Sequence, residues 1–128
     1  MLESDVKLAV SEYLQIKQNQ GKLMYHRLNS GDFIIIEGNS RRRVKGCDKG
    51  TADFIVTMPG FTGLYIETKS DKGKQSKEQI EFQVTIEAQG GKYLLTKSVD
   101  DVIGIIEPVK SIKQRCEHVR EVYNCDED

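Results

Sequence analysis

Two apolar runs lying close together, 53–57 and 63–69, constrain this chain most; the turn pair Pro59-Gly60 separates them. Both read as strands, and as neighbours. An acid opens the first run, in Gly50-Thr51-Ala52-Asp53, and an acid and a lysine close the second, in Glu67-Thr68-Lys69. Residues i and i+2 of a strand point the same way, so Tyr65, Glu67 and Lys69 share one face and Leu64, Ile66 and Thr68 the other. With the two strands paired, Asp53 meets the face of Glu67 and Lys69. Two carboxylates and one ammonium then converge at a strand end.

The rest of the chain builds a frame for those strands. Residues 3–19 read as a helix, because Leu2, Val6, Ala9, Val10, Tyr13 and Leu14 recur at three- and four-residue spacing and Gly21 follows as a terminating glycine. Residues 22–28 and 33–37 are β-prone and flank the turn formers Asn29-Ser30-Gly31-Asp32, so 22–37 reads as a hairpin. The segment 38–50 reads as a loop that carries Arg41-Arg42-Arg43 and Lys45. Residues 70–75 form a polar loop. A helix follows over 76–89, with Ser76 as its N-cap and Gln79, Phe82, Gln83 and Ile86 on its inward face. Then come a strand over 92–96 and a helix over 98–106 opened by a capping box at Ser98. Pro108 breaks that helix, and Ile112, Cys116, Val119 and Tyr123 mark a last amphipathic helix before an acidic tail. Strands joined by a crossover helix imply an α/β fold, a mixed central β-sheet flanked by helices. The division is one domain over 1–107, with a C-terminal helix and tail over 108–128 packed on it or extending it.

Composition limits the function classes. The chain has 128 residues, 38% of them hydrophobic, which suits one modest core. The net charge of −1 argues against coating nucleic acid by bulk charge but leaves room for a local basic patch. No membrane-length apolar run and no signal-peptide pattern is present, so the chain reads as cytoplasmic, with no membrane partner. Its three cysteines read as reduced thiols. Cys116, His118 and Cys125 match no zinc spacing. His26 and His118 read as a strand and a helix-surface histidine.

Oxygen-rich sites of the kind formed by Asp53 and Glu67 suit Mg²⁺ or Mn²⁺. A divalent cation between two carboxylates, with a lysine beside it, is equipment for activating water against a phosphodiester. Nearby carboxylates push a lysine pKa up, so Lys69 reads as a positioning and charge-stabilising group more than a base. The basic cluster of Arg41, Arg42, Arg43 and Lys45 reads as a clamp on DNA backbone, with Arg27, Asn29, Lys72 and Lys74 as further contacts. Two readings from other classes stand beside this one: a catalytically silent nucleic-acid-binding module, and a small scaffold whose charges are solvated.

The motifs taken together resemble the PD-(D/E)xK nuclease superfamily, and more closely a small stand-alone virus-type replication-repair nuclease (VRR-NUC) domain. The resemblance runs from Glu3 through Arg27-Leu28-Asn29-Ser30-Gly31, Gly50-Thr51-Ala52-Asp53, Glu67-Thr68-Lys69 and Ser76-Lys77-Glu78-Gln79 to about Ile106. Ala52 stands where the family often has proline. The resemblance implies a restriction-endonuclease-like core and Mg²⁺- or Mn²⁺-dependent endonuclease activity on DNA, including branched or four-way-junction DNA. It implies that the metal is held by Asp53, Glu67 and the backbone carbonyl of Thr68, with Glu3 acting through water. Gln79 would contact the lysine or the scissile region, with Gln75 and Gln83 as substitutes. It also implies a homodimer, in which two copies of one site match a four-way junction. The helix of Ile112, Cys116, Val119 and Tyr123 offers an apolar stripe for that contact or for packing on its own sheet.

Overall fold

A computed structural model describes residues 1–108. The expected helix from Ile112, the stripe it carries and the two later cysteines lie outside the described residues. The elements are α1 (Glu3–Asn19), β1 (Met24–Arg27), β2 (Asp32–Glu37), β3 (Ser40–Lys45), β4 (Phe54–Met58), β5 (Phe61–Thr68), α2 (Lys77–Ala88), β6 (Lys92–Thr96) and α3 (Val99–Ile106).

The central sheet has the order β1-β4-β5-β6. The first two pairings are antiparallel, and β5 and β6 are parallel, joined through α2. A parallel pair needs such a crossover, because its strands start at the same end of the sheet. The fold is thus α/β with a mixed sheet flanked by helices. Helices α1 and α3 cover one face. Val6, Val10 and Leu14 of α1 and Val102 and Ile106 of α3 are buried there against Phe54, Val56, Leu64 and Ile66. The 3.6-residue period of α1 and the two-residue period of the strands bring those sets together. On the other face α2 packs through Phe82, which meets Tyr65 edge-on at 5.2 Å between ring centroids.

Helix α2 begins as its sequence dictates. The Ser76 hydroxyl accepts from the Gln79 N–H at 3.2 Å, and the Gln79 side chain accepts from the Ser76 N–H at 2.8 Å. The reciprocal pair satisfies two amides that a helix start leaves free. Ser98 caps α3 in position only, without a side-chain cap bond. Asp101 instead accepts from the Thr96 hydroxyl at 3.0 Å, which ties the helix to β6.

The segment 22–50 departs from the expected arrangement. β1 does not form a hairpin with 33–37; it pairs with β4. β2 pairs with β3 in a separate two-stranded ribbon, so Arg41, Arg42, Arg43 and Lys45 lie on a strand and not in a loop. Among the described residues no helix covers the ribbon, so β3 needs no apolar alternation there, and its sequence looks like a solvated charge run. The turn at Gly38-Asn39 between the paired residues Glu37 and Ser40 is the signal that marks it. Gly38 has φ +59° there, a conformation in which a side chain is strained.

Candidate active site

Asp53 sits immediately before β4, and Glu67 and Thr68 close β5. Antiparallel pairing of Phe54 with Ile66 brings these ends together. One Asp53 oxygen, Oδ2, accepts from the Thr68 N–H at 2.8 Å and from the Thr68 hydroxyl at 2.6 Å. Two donors on one carboxylate oxygen fix its rotamer, each contributing about 1.5–3 kcal/mol for an ionised acceptor. The other oxygen, Oδ1, lies 3.2 Å from the Lys7 ammonium of α1.

Glu67 is 2% exposed. Its Oε1 accepts from the Gln79 side-chain amide of α2 at 3.1 Å. Its Oε2 is buried with no hydrogen-bond partner among the described residues. Burial pushes the Glu67 carboxyl up to about 8, helped by the charge of Asp53 beside it and opposed by the Lys69 ammonium. A lone buried carboxylate oxygen costs free energy that a cation or a proton can offset.

The Lys69 ammonium lies 3.5 Å from Glu3 Oε1, and its side chain is mostly covered. Helix α1 therefore presents an acid and a base four residues apart: Glu3 meets Lys69, and Lys7 meets Asp53. Residues i and i+4 share a helix face, so one short stripe serves both ends of the cluster. Lys7 is the residue that sequence reasoning missed. On an amphipathic helix it looks like an ordinary polar-face lysine. Its spacing from Glu3 is the available signal, once Glu3 is placed at the site.

The structure brings Asp53, Glu67, Lys69, Glu3 and Gln79 into one cluster. Gln79 reaches Glu67, and no bond joins it to Lys69. Gln75 bonds Gln83 at 2.9 Å and the Tyr93 hydroxyl at 3.2 Å, a separate set of contacts. Gly50 belongs to the site's support. It is buried at φ +94°, and a Cβ there would lie 2.6 Å from the Glu78 backbone. The absent side chain lets the segment leading to Asp53 press against the start of α2, beside Gln79.

The basic residues are more dispersed. Arg27, at the end of β1, lines a hollow of about 360 Å³ with Glu3, Ser4, Lys7 and Ser11. Arg43 pairs with Asp32, and Lys45 lies 3.3 Å from Asp48. The Asn29 backbone carbonyl accepts from the Cys47 N–H at 2.7 Å, so this residue helps build the ribbon's root. Lys72 and Lys74 are exposed in the loop after β5.

Among the described residues no group of three or more His, Cys, Asp or Glu side chains is placed to hold a metal. The donor set at the strand ends is the pair Asp53 and Glu67. It is all oxygen, and Glu67 Oε2 lacks a partner. That chemistry fits a hard divalent cation, which commonly takes one or two carboxylates and completes its shell with water and phosphate oxygens. No protein-family model matches the chain, and no curated protein matches it in sequence. Among the described residues no helix is long and apolar enough to cross a membrane.

Proposed function

We propose that this chain is a metal-dependent DNA endonuclease of the VRR-NUC type its motifs resemble, with a restriction-endonuclease-like core. The observation that carries the reading is the buried, partnerless Oε2 of Glu67 beside Asp53, with two lysines within reach of the same cluster. A module that only bound nucleic acid gains nothing from burying a carboxylate where phosphate must approach. A scaffold has no use for such a group at all.

Asp53 and Glu67 would hold Mg²⁺ or Mn²⁺, together with the Thr68 backbone carbonyl. The bound cation would supply Lewis-acid activation of water and of the phosphoryl oxygen. The remaining roles fall to the chain. Thr68 locks Asp53 through two hydrogen bonds, and Gln79 orients Glu67 through one. Lys69 supplies positive charge where negative charge grows on the phosphorane, and Glu3 holds that ammonium in place. Lys7 balances Asp53, and its charge would face an incoming phosphodiester. Arg27 extends the positive surface from the same helix groove, and Lys72 and Lys74 add phosphate contacts on the loop after β5. The protein would act inside the cell on branched or duplex DNA, as a homodimer that places two such sites on a four-way junction.

The test is a cleavage panel of labelled four-way junctions, flaps, nicked and linear duplexes with Mg²⁺ or Mn²⁺. The wild-type chain is expected to cut at least one of them, and Asp53→Ala none. Failure of the wild type on every DNA with either metal would overturn the reading.

A further inference from the structure

We propose that the β2–β3 ribbon is a DNA-docking arm that lays its isoleucine face into the minor groove beside the strand being cut. The inference rests on the endonuclease reading and adds the surface by which the substrate is held.

The ribbon leaves and rejoins the sheet at the active-site end. The Leu28 N–H donates to the Asp53 backbone carbonyl at 2.8 Å, so the chain departs after β1 and returns beside the catalytic acid. The root between these points is tied by three backbone bonds: Gly31 to Cys47 at 3.0 Å, Gly46 to Gly31 at 2.7 Å, and Cys47 to Asn29 at 2.7 Å. Gly46 is packed so tightly that a Cβ would lie 2.6 Å from the Phe33 ring. The arm therefore has a set direction at its base. Its six-residue strands reach about 20 Å.

The pairing sorts its side chains. Ile34 opposes Arg43 and Ile36 opposes Arg41, so these four share one face. Ile34 is 67% exposed and Ile36 62%, and among the described residues no helix or central-sheet strand packs on them. Arg41 has no ion-pair partner among the described residues and sits next to the Gly38-Asn39 turn, toward the tip. An apolar centre flanked by arginine suits the minor groove, where proteins press isoleucine or leucine against base steps and place arginine between the phosphate walls. The carboxylate on this face, Asp32, is taken by Arg43, so the face presents donors and apolar surface, which matches the acceptor-only edge of A·T pairs in the minor groove. A second copy of the chain is the other occupant such a face could take. The unpartnered arginine at its tip favours phosphate over an identical basic ribbon.

The experiment uses the full chain in EDTA, which stops cleavage, and an A·T-rich duplex followed by fluorescence anisotropy. Ile34→Thr/Ile36→Thr keeps β-branched residues on exposed positions, so the ribbon persists. That variant is expected to bind about tenfold more weakly with an unchanged salt slope, because apolar contacts release no counterions. Arg41→Gln is expected to lower the slope by about 0.9. Netropsin, a minor-groove ligand, is expected to displace the wild type, and light scattering to give the same mass for wild type and variant. Wild-type affinity in the isoleucine variant overturns the proposal, as does resistance to netropsin or a mass halved by the substitution. If metal-dependent cleavage survives any of these results, the arm alone is refuted. Absence of duplex binding by the wild type also overturns the arm, and the endonuclease reading falls only if metal-dependent cleavage is absent as well.

Discussion

Lys7 and Asp53 form an ion pair of 3.2 Å across the join between α1 and the sheet, on the Asp53 oxygen that Thr68 leaves free. The ammonium thus occupies the side of Asp53 that a divalent cation would need. It neutralises the acid and would compete with a cation for it.

Lys7→Met is therefore expected to move two quantities in opposite directions. Fold stability falls by about 1 kcal/mol, the usual scale for a partly exposed pair. Affinity for Mn²⁺ rises roughly tenfold, since a like charge a few ångströms away is removed. Calorimetric titration reads the second effect. Unchanged metal affinity would show that Lys7 does not stand in the cation's way.

Glu67 sets a pH dependence of the metal-free fold. Its carboxyl is raised from 4.5 to about 8, first by burial and then by the charge of Asp53. Between those values the folded chain binds a proton that the unfolded chain has lost. Stability therefore falls as pH rises through this window and levels off above it. The penalty reaches roughly 4 kcal/mol by pH 8. Glu67→Gln removes it, so the variant is expected to exceed the wild type in urea resistance at pH 8 and to approach it near pH 4.5. A difference that does not change with pH would contradict the assignment.

Gln79 holds two jobs that can be separated. Its amide oxygen caps α2 through Ser76, and its amide nitrogen holds Glu67. Ser76→Ala breaks the cap alone and is expected to cost about 1 kcal/mol of stability with little loss of turnover. Gln79→Ala is expected to lose both stability and turnover. Equal effects on turnover would reduce Gln79 to a capping residue.

Gly50→Ala is expected to destabilise the fold by about 2 kcal/mol or more. Positive φ and the contact with Glu78 both exclude a side chain there. Thermal unfolding measures it. A neutral result would show that the segment before Asp53 yields without cost.

The elements that cover the core were legible in the sequence, and the pairing of β1, β2 and β3 was not. Val6, Val10 and Leu14 mark α1 because burial imposes a helical period. Leu64, Ile66 and Thr68 mark β5 in the same way, and the crossover through α2 follows from Ser76, Phe82 and Gly91. Phe33 to Glu37 was legible as a strand, but its partner β3 was hidden because neither face of the ribbon meets the described core. Arg41, Arg42 and Arg43 alternate between two faces, so their chemistry gives no period. The site was half legible. Asp53, Glu67 and Lys69 follow from two paired strand ends, and Gln79 from an amide on an inward face, but strand alternation puts Thr68 on the wrong side of Asp53, whose carboxylate it bonds. The Asp53–Lys7 pair depends on how α1 crosses the sheet, which no local spacing encodes.

Everything proposed for this chain depends on Asp53 and Glu67, which together would form a divalent-cation site. Electron paramagnetic resonance of Mn²⁺, titrated with wild type, Asp53→Asn and Glu67→Gln, measures it without any choice of DNA. The wild type is expected to sequester Mn²⁺ at a site that both substitutions abolish while circular dichroism stays unchanged. Equal Mn²⁺ binding by all three proteins, or none by the wild type, would contradict it.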